Sequence, residues 1–259
     1  MAQGRNRDPF TMNAARLLAT GLRASCLVAA LAVSSLATAG NFSVTPVRIY
    51  MTPSDRAIAV TLTNEGDSEV ALQADLYAWS QNPDGTDDLV LTEDLIVAPP
   101  IIKLAPRARQ VVRLARLTPP DLSRQLTYRL IVREVPEATA PKAEKGIVMQ
   151  LPIALAMSMP IFITPPAVQR DVQCQVARMD EQNLSAVCQN TGTAYAQIRT
   201  IVLARGDQEL AKFEGGTYIL PGSRRSMSIK ADRAISAGPA TARVLYDDGK
   251  ATELPVQLP

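Results

Sequence analysis

The chain has 259 residues, 27 basic against 25 acidic, no histidine, and only 4% aromatic residues within a 47% hydrophobic content. Without histidine, Ser-His-Asp and Cys-His catalysis are excluded. The near-neutral balance, with no long run of like charge, gives no electrostatic case for a nucleic-acid partner.

The chain begins with Arg16 and Arg23 ahead of an apolar run, Leu27 to Leu36, closed by Ala37-Thr38-Ala39. A charged region, a short apolar core and a small-residue cleavage site predict a secretory signal peptide over residues 1–39. The core is too short to span a membrane, and no later stretch is a candidate, so an exported product without stable membrane insertion is expected. Met12 serves as well as Met1 for a start. The leader holds Arg5, Arg7, Arg16 and Arg23 but only Asp8, which leaves 23 basic against 24 acidic residues in the mature chain. The apparent basicity therefore belongs to the leader.

From Asn41 the sequence reads as strands. Asn41 to Met51 is extended and broken by Pro46. Ile58, Val60 and Leu62 alternate with smaller or polar residues, Asn64 to Asp67 makes a turn, and Val70, Leu72, Ala74 and Leu76 alternate on the way back, which predicts a hairpin. Further strands are expected at Leu89–Leu91, Ile101–Leu104, Arg109–Leu114 and Tyr128–Val132, between proline-marked turns. No helical window of ten or more residues precedes Pro165. Many short strands at this spacing argue for an all-β sandwich.

After a polar segment, Glu134 to Lys145, that reads as a mobile loop, the run from Gly146 to Ile163 stands out. Every odd position from Ile147 to Ile161 is large and apolar while the even positions are mostly small or polar, a period of two that favours a strand. Extended at roughly 3.3 Å per residue, Ile147 to Ile161 would reach about 50 Å, far beyond an ordinary strand. Pro152 and Pro160 both fall at even positions, so both missing N–H donors lie on one edge and a full ladder is open only to the other. The segment reads as an edge strand at least in part. Two uses remain open: a template for another chain, or a contribution to the protein's own core with a bulge absorbing the prolines.

Thr164-Pro165-Pro166-Ala167 is a stiff linker candidate, and residues 165–259 again read as short apolar strands between turns, including Asp247-Asp248-Gly249. Two β-sandwich domains follow, 40–164 and 165–259. Cys174 and Cys188 lie on strand-like flanks separated by a turn, so a hairpin would set them opposite one another. In an exported protein a disulfide is expected, stabilising by roughly 3 kcal/mol in the chain-entropy model. A zinc site would need two more ligands in a chain without histidine, and no phosphate loop or metal-ligand cluster is present. Carboxylate pairs such as Asp247/Asp248 keep the company of turn formers and read as surface residues. Trp79 and Tyr77 read as sandwich core rather than as a sugar platform. No catalytic residue, cofactor or metal is expected.

Four blocks together resemble the periplasmic pilus-assembly chaperones of the PapD-like family: V-T-P-V-R-I-Y at 44–50, V-A-P-P-I-I-K-L-A-P-R-A-R-Q-V-V-R-L at 97–114, Y-R-L-I-V-R-E-V-P at 128–136, and the long strand ending M-P-I-F-I-T-P. The third block and the M-P-I-F ending are more similar to the archaic, Csu-type branch. The resemblance implies two immunoglobulin-like β-sandwiches in an L-shaped arrangement. It also implies a periplasmic chaperone without enzymatic turnover that lends an edge strand to pilin subunits and delivers them to an outer-membrane usher. The lending residues would be Ile147, Met149, Leu151, Ile153 and Leu155. Arg48 would grip the subunit's terminal carboxylate, although the family's second cation, often Lys, falls at Pro160. Arg113 maps onto an arginine of the interdomain ion-pair network, whose usual Glu partner falls at Gln125. Self-association of the free form through the exposed strand is left open by the resemblance. The competing readings are a secreted two-sandwich adhesion or carbohydrate-binding module and a carboxylate-dependent hydrolase.

Overall fold

The computed structural model describes residues 42–136, 154–180, 183–231 and 234–258. The expected leader, residues 137–145 of the polar segment and residues 146–153 of the long strand lie outside the described residues. Among the described residues there are seventeen strands and no helix. The first ten are β1 (Phe42–Thr45), β2 (Ile49–Met51), β3 (Ala57–Asn64), β4 (Val70–Gln81), β5 (Asp87–Leu91), β6 (Leu95–Ala98), β7 (Ile101–Leu104), β8 (Arg109–Arg116), β9 (Leu126–Glu134) and β10 (Ala156–Ile163). The other seven are β11 (Val172–Arg178), β12 (Asn183–Asn190), β13 (Ala196–Arg205), β14 (Gln208–Ile219), β15 (Arg224–Lys230), β16 (Gly238–Tyr246) and β17 (Ala251–Leu258).

The first ten strands form two facing sheets, β1-β3-β8-β6 and β2-β10-β9-β4-β5, with β7 also paired to β4. Their period of two is what makes a sandwich: alternate residues such as Val60 and Leu62 of β3, Leu72 and Ala74 of β4, and Leu130 and Val132 of β9 are buried in one shared core. The expected β3–β4 hairpin is corrected. The two strands belong to opposite sheets, and the turn carries the chain from one layer to the other. Two strands facing one core show the same alternation as two strands paired side by side, so periodicity cannot separate them. Asn64 fixes the crossing: fully buried, it donates through Nδ2 to the carbonyls of Ser68 (2.7 Å) and Leu104 (3.1 Å) and accepts the Gly66 N–H at 2.9 Å.

The remaining strands follow the order β11-β12-β15-β14-β13-β16-β17. β14 and β15 meet at one register pair, Lys212 opposite Lys230, so the sheet folds there into two layers and brings β11 near β17. A second core, with Leu184, Ile198, Leu203, Ile229 and Val244, fills the space between. Asn190 repeats the device of Asn64, buried and donating to the carbonyls of Ala194 (2.7 Å) and Ile219 (3.0 Å). Cys174 stands opposite Cys188 in the β11–β12 ladder, and the two are joined as a disulfide.

A third apolar cluster links the halves: Trp79, Phe162 and Leu220, with Tyr195 and Tyr218 packed against them. Trp79 therefore fills the seam between the sandwiches rather than the first sandwich's core.

Candidate functional site

β10 lies between β9 and β2, but its two edges are not equally covered. It pairs with β9 over its whole length, from Ala156 opposite Arg133 to Ile163 opposite Leu126. β2 covers only Ile161 to Ile163. The Glu134 N–H donates to the Leu155 carbonyl at 2.9 Å, which assigns odd-numbered backbone groups to β9 and even-numbered ones to the other edge. Over residues 156–160 that second edge faces no strand among the described residues. Pro160 sits on it, where its missing donor costs no ladder bond.

The odd side chains run inward. Met159, Ile161 and Ile163 are buried, and Leu155 and Met157 pack, half-buried, against the first core, while Ala156 and Ser158 are exposed. Of the five residues expected to lend a strand, Leu155 thus begins the described, inward-facing stripe. Ile147, Met149, Leu151 and Ile153 lie outside the described residues.

At the seam the second site residue is found. Extending the parallel β2–β10 register by one residue sets Arg48 beside Pro160. Arg48 reaches across to the second sandwich, donating from Nη1 to Asp247 Oδ2 and from Nη2 to Gln197 Oε1, both at 2.8 Å. Asp247 Oδ2 also accepts the Tyr195 hydroxyl at 3.0 Å, and Tyr195 and Tyr50 share a hydrogen bond of 2.9 Å between their hydroxyls. The Arg48 side chain is 30% exposed and that of Asp247 11%, so the arginine keeps part of its surface in solvent while its carboxylate partner is nearly enclosed. Burial pushes the Tyr195 hydroxyl well above the ordinary tyrosine range, with Tyr50 and Asp247 adding to it, so Tyr195 acts here as a protonated donor. Phe162 stacks on Tyr195, ring centroids 4.1 Å apart, which seals the apolar side of this polar ring.

The residue opposite Pro160 on β9 is Arg129. Its guanidinium lies 3.7 Å over the Trp79 ring and 5.8 Å from the Tyr218 ring, and Arg48 lies 5.8 Å from the same Tyr218 ring. Pro160 is therefore flanked by Arg129 on β9 and by Arg48, the residue just before β2. Burial lowers the Arg129 pKa, and Asp87, with an oxygen 3.8 Å away, opposes that shift. Sequence reasoning missed Arg129 because the signal is a pairing register, which no single strand carries. It also placed Asp247 among the surface turn residues.

Arg113, read as an interdomain or strand-surface charge, takes the strand-surface place. It is exposed on β8, opposite Ala59 and Ala98, and forms no ion pair among the described residues. Gln125 does the bridging by neutral hydrogen bonds: buried, it donates from Nε2 to Thr164 Oγ1 (2.7 Å) and accepts the Tyr195 N–H through Oε1 (2.8 Å). An amide both donates and accepts, so it satisfies two partners without burying a charge. Among the described residues no group of three or more acidic or cysteine side chains is placed to hold a metal ion.

Residues 41–169 match the family described as pili and flagellar-assembly chaperone, PapD N-terminal domain. Over 121 residues the chain is 29% identical to the chaperone protein PapD of Escherichia coli, covering 45% of each. It spans about half the length of the curated relatives it matches. Among solved structures it is similar in fold to the chaperone–tip subunit pre-assembly complex CsuC–CsuE of archaic Csu pili of Acinetobacter baumannii, with TM-score 0.61, 17% identity and coverage of 85% of this chain and 100% of that one. The SafB chaperone complex with the SafA pilin of Salmonella enterica gives TM-score 0.55 at 15% identity, covering 85% of this chain and 96% of that one.

Proposed function

The chain belongs, through its first sandwich, to the PapD N-terminal family of pili and flagellar-assembly chaperones, and on that premise we propose that it captures pilin subunits by lending them a strand. The observation that carries this reading is the edge of β10 at residues 156–160, which no strand covers among the described residues, set at the end of an apolar stripe that the sequence continues through Ile147, Met149, Leu151, Ile153 and Leu155. An immunoglobulin-like subunit lacking one strand would pair its backbone along that edge and take the alternating side chains into its groove. Each buried apolar side chain contributes roughly 1.5–3 kcal/mol, less the cost of ordering the strand. No bond is made or broken, so the role is binding without turnover.

Arg48 is the anchor for the subunit's terminal carboxylate, which a guanidinium can hold through two parallel N–H donors. Arg129 is the second cation, reaching from β9 the place that Pro160 cannot serve. Export through the leader at residues 1–39 would put this work in the periplasm. There the domain 40–164 holds the subunit, the domain 165–259 closes the cleft, and an outer-membrane usher receives the complex.

Periplasmic co-expression with the small secreted β proteins encoded beside it tests the reading. A stoichiometric complex on a tag carried by this chain, stable in moderate salt as an apolar strand contact requires, is the expected result. Recovery of the chain alone with every such protein would overturn it.

A further inference from the structure

Building on the proposed carboxylate anchor, we infer that Asp247 is the resident carboxylate of the Arg48 site, a latch from the second sandwich that an incoming terminal carboxylate displaces. Both terminal nitrogens of Arg48 are engaged by the second sandwich, one by Asp247 and one by Gln197. Asp247 Oδ2 gathers two donors, Arg48 Nη1 and the Tyr195 hydroxyl. Two convergent donors, one cationic, are the surroundings that a free carboxylate oxygen would need, so the site is already shaped for its ligand's chemistry. Asp247 is delivered by the turn between β16 and β17, which is held by its own N–H on the Gln197 carbonyl (3.1 Å) and by the Gly249 N–H on the Tyr246 carbonyl (3.1 Å).

The exchange conserves charge. A terminal carboxylate arriving while Asp247 stayed in place would set two anions on one guanidinium, whereas one that replaces Asp247 keeps the pair neutral. The neighbouring Asp248 supplies the control, because it pairs with Arg170 at 2.9 Å instead. A change confined to Asp248 alters the same turn and the same net charge without touching Arg48.

The probe is a short synthetic peptide of alternating valine and threonine, prepared with a free terminal carboxylate and as its terminal amide, and titrated against the full chain by the fluorescence of Trp79, its single tryptophan. Asp247→Asn should raise the preference for acid over amide by about tenfold, the release of one charge-assisted hydrogen bond. Asp248→Asn should leave it unchanged, and Arg48→Ala should abolish it. If wild type prefers the acid and Asp247→Asn does so no more strongly, the latch is overturned and the anchor stands. If neither protein distinguishes acid from amide, the anchor fails and the latch with it. A second measurement needs no variant: amide hydrogen exchange in the turn at residues 247–250 should quicken when the acid peptide binds wild type, and unchanged exchange overturns the displacement.

Discussion

Arg129 lies directly across the β9–β10 ladder from Pro160, with its guanidinium over the Trp79 ring. The pair does not exchange hydrogen bonds, and such pairs bring side chains closest together. A cation on β9 can therefore stand over a position where β10 offers only a ring. Arg129→Ala should lower the yield of co-purified subunit severalfold and cost about 0.5–2 kcal/mol of stability through the lost cation–π contact. Subunit recovery alongside thermal unfolding separates the two effects. A full yield at lowered stability would remove Arg129 from the anchor.

Phe162 is fully buried between the halves and stacks on Tyr195. Phe162→Ala should cost about 3–5 kcal/mol, concentrated at the seam because each sandwich keeps its own core. The expected outcome in urea is the splitting of one unfolding transition into two. A single transition at the original midpoint would show that the seam carries little of the stability.

The Cys174–Cys188 bridge joins the β11–β12 ladder of the second sandwich, remote in sequence from β10. Replacing both cysteines by serine should destabilise that sandwich by roughly 3 kcal/mol while leaving subunit capture intact at low temperature. Denaturant midpoints and co-purification at two temperatures check both halves of the expectation.

Burial raises the hydroxyls of Tyr195 and Tyr128 above the ordinary tyrosine range; Asp94, which accepts the Tyr128 hydroxyl at 3.1 Å, adds to the second shift. A folded-state pKa above the unfolded one means that these groups support the fold fully below about pH 10 and lose that support as pH climbs beyond it. The melting temperature should fall more steeply above about pH 10 in wild type than in Tyr195→Phe. Parallel profiles would contradict the assignment.

Much of the fold is legible in the sequence because alternation reports one buried face, and the strands at Ile101–Leu104, Arg109–Leu114 and Tyr128–Val132 stand where that pattern puts them. Alternation does not report which strand lies beside which. This is why β3 and β4 read as a hairpin and why Arg129 escaped notice, since both depend on neighbours that pairing alone decides. Asp247 was hidden by its company: Asp-Asp-Gly is the composition of an exposed turn, and the groups that engage the first of its two carboxylates, Arg48 from the other sandwich and Tyr195, are remote in sequence. Arg48 itself was found through a family resemblance, not through any local pattern.

Hydrogen exchange at the Ala156 and Ser158 amides, compared between the free chain and its complex with a subunit, tests strand lending most directly. Both belong to the edge of β10 that β9 does not use. The account predicts fast exchange in the free chain and strong protection in the complex, as a subunit strand pairs along that edge. Equal exchange in both states, with protection appearing elsewhere on the chain, would contradict it.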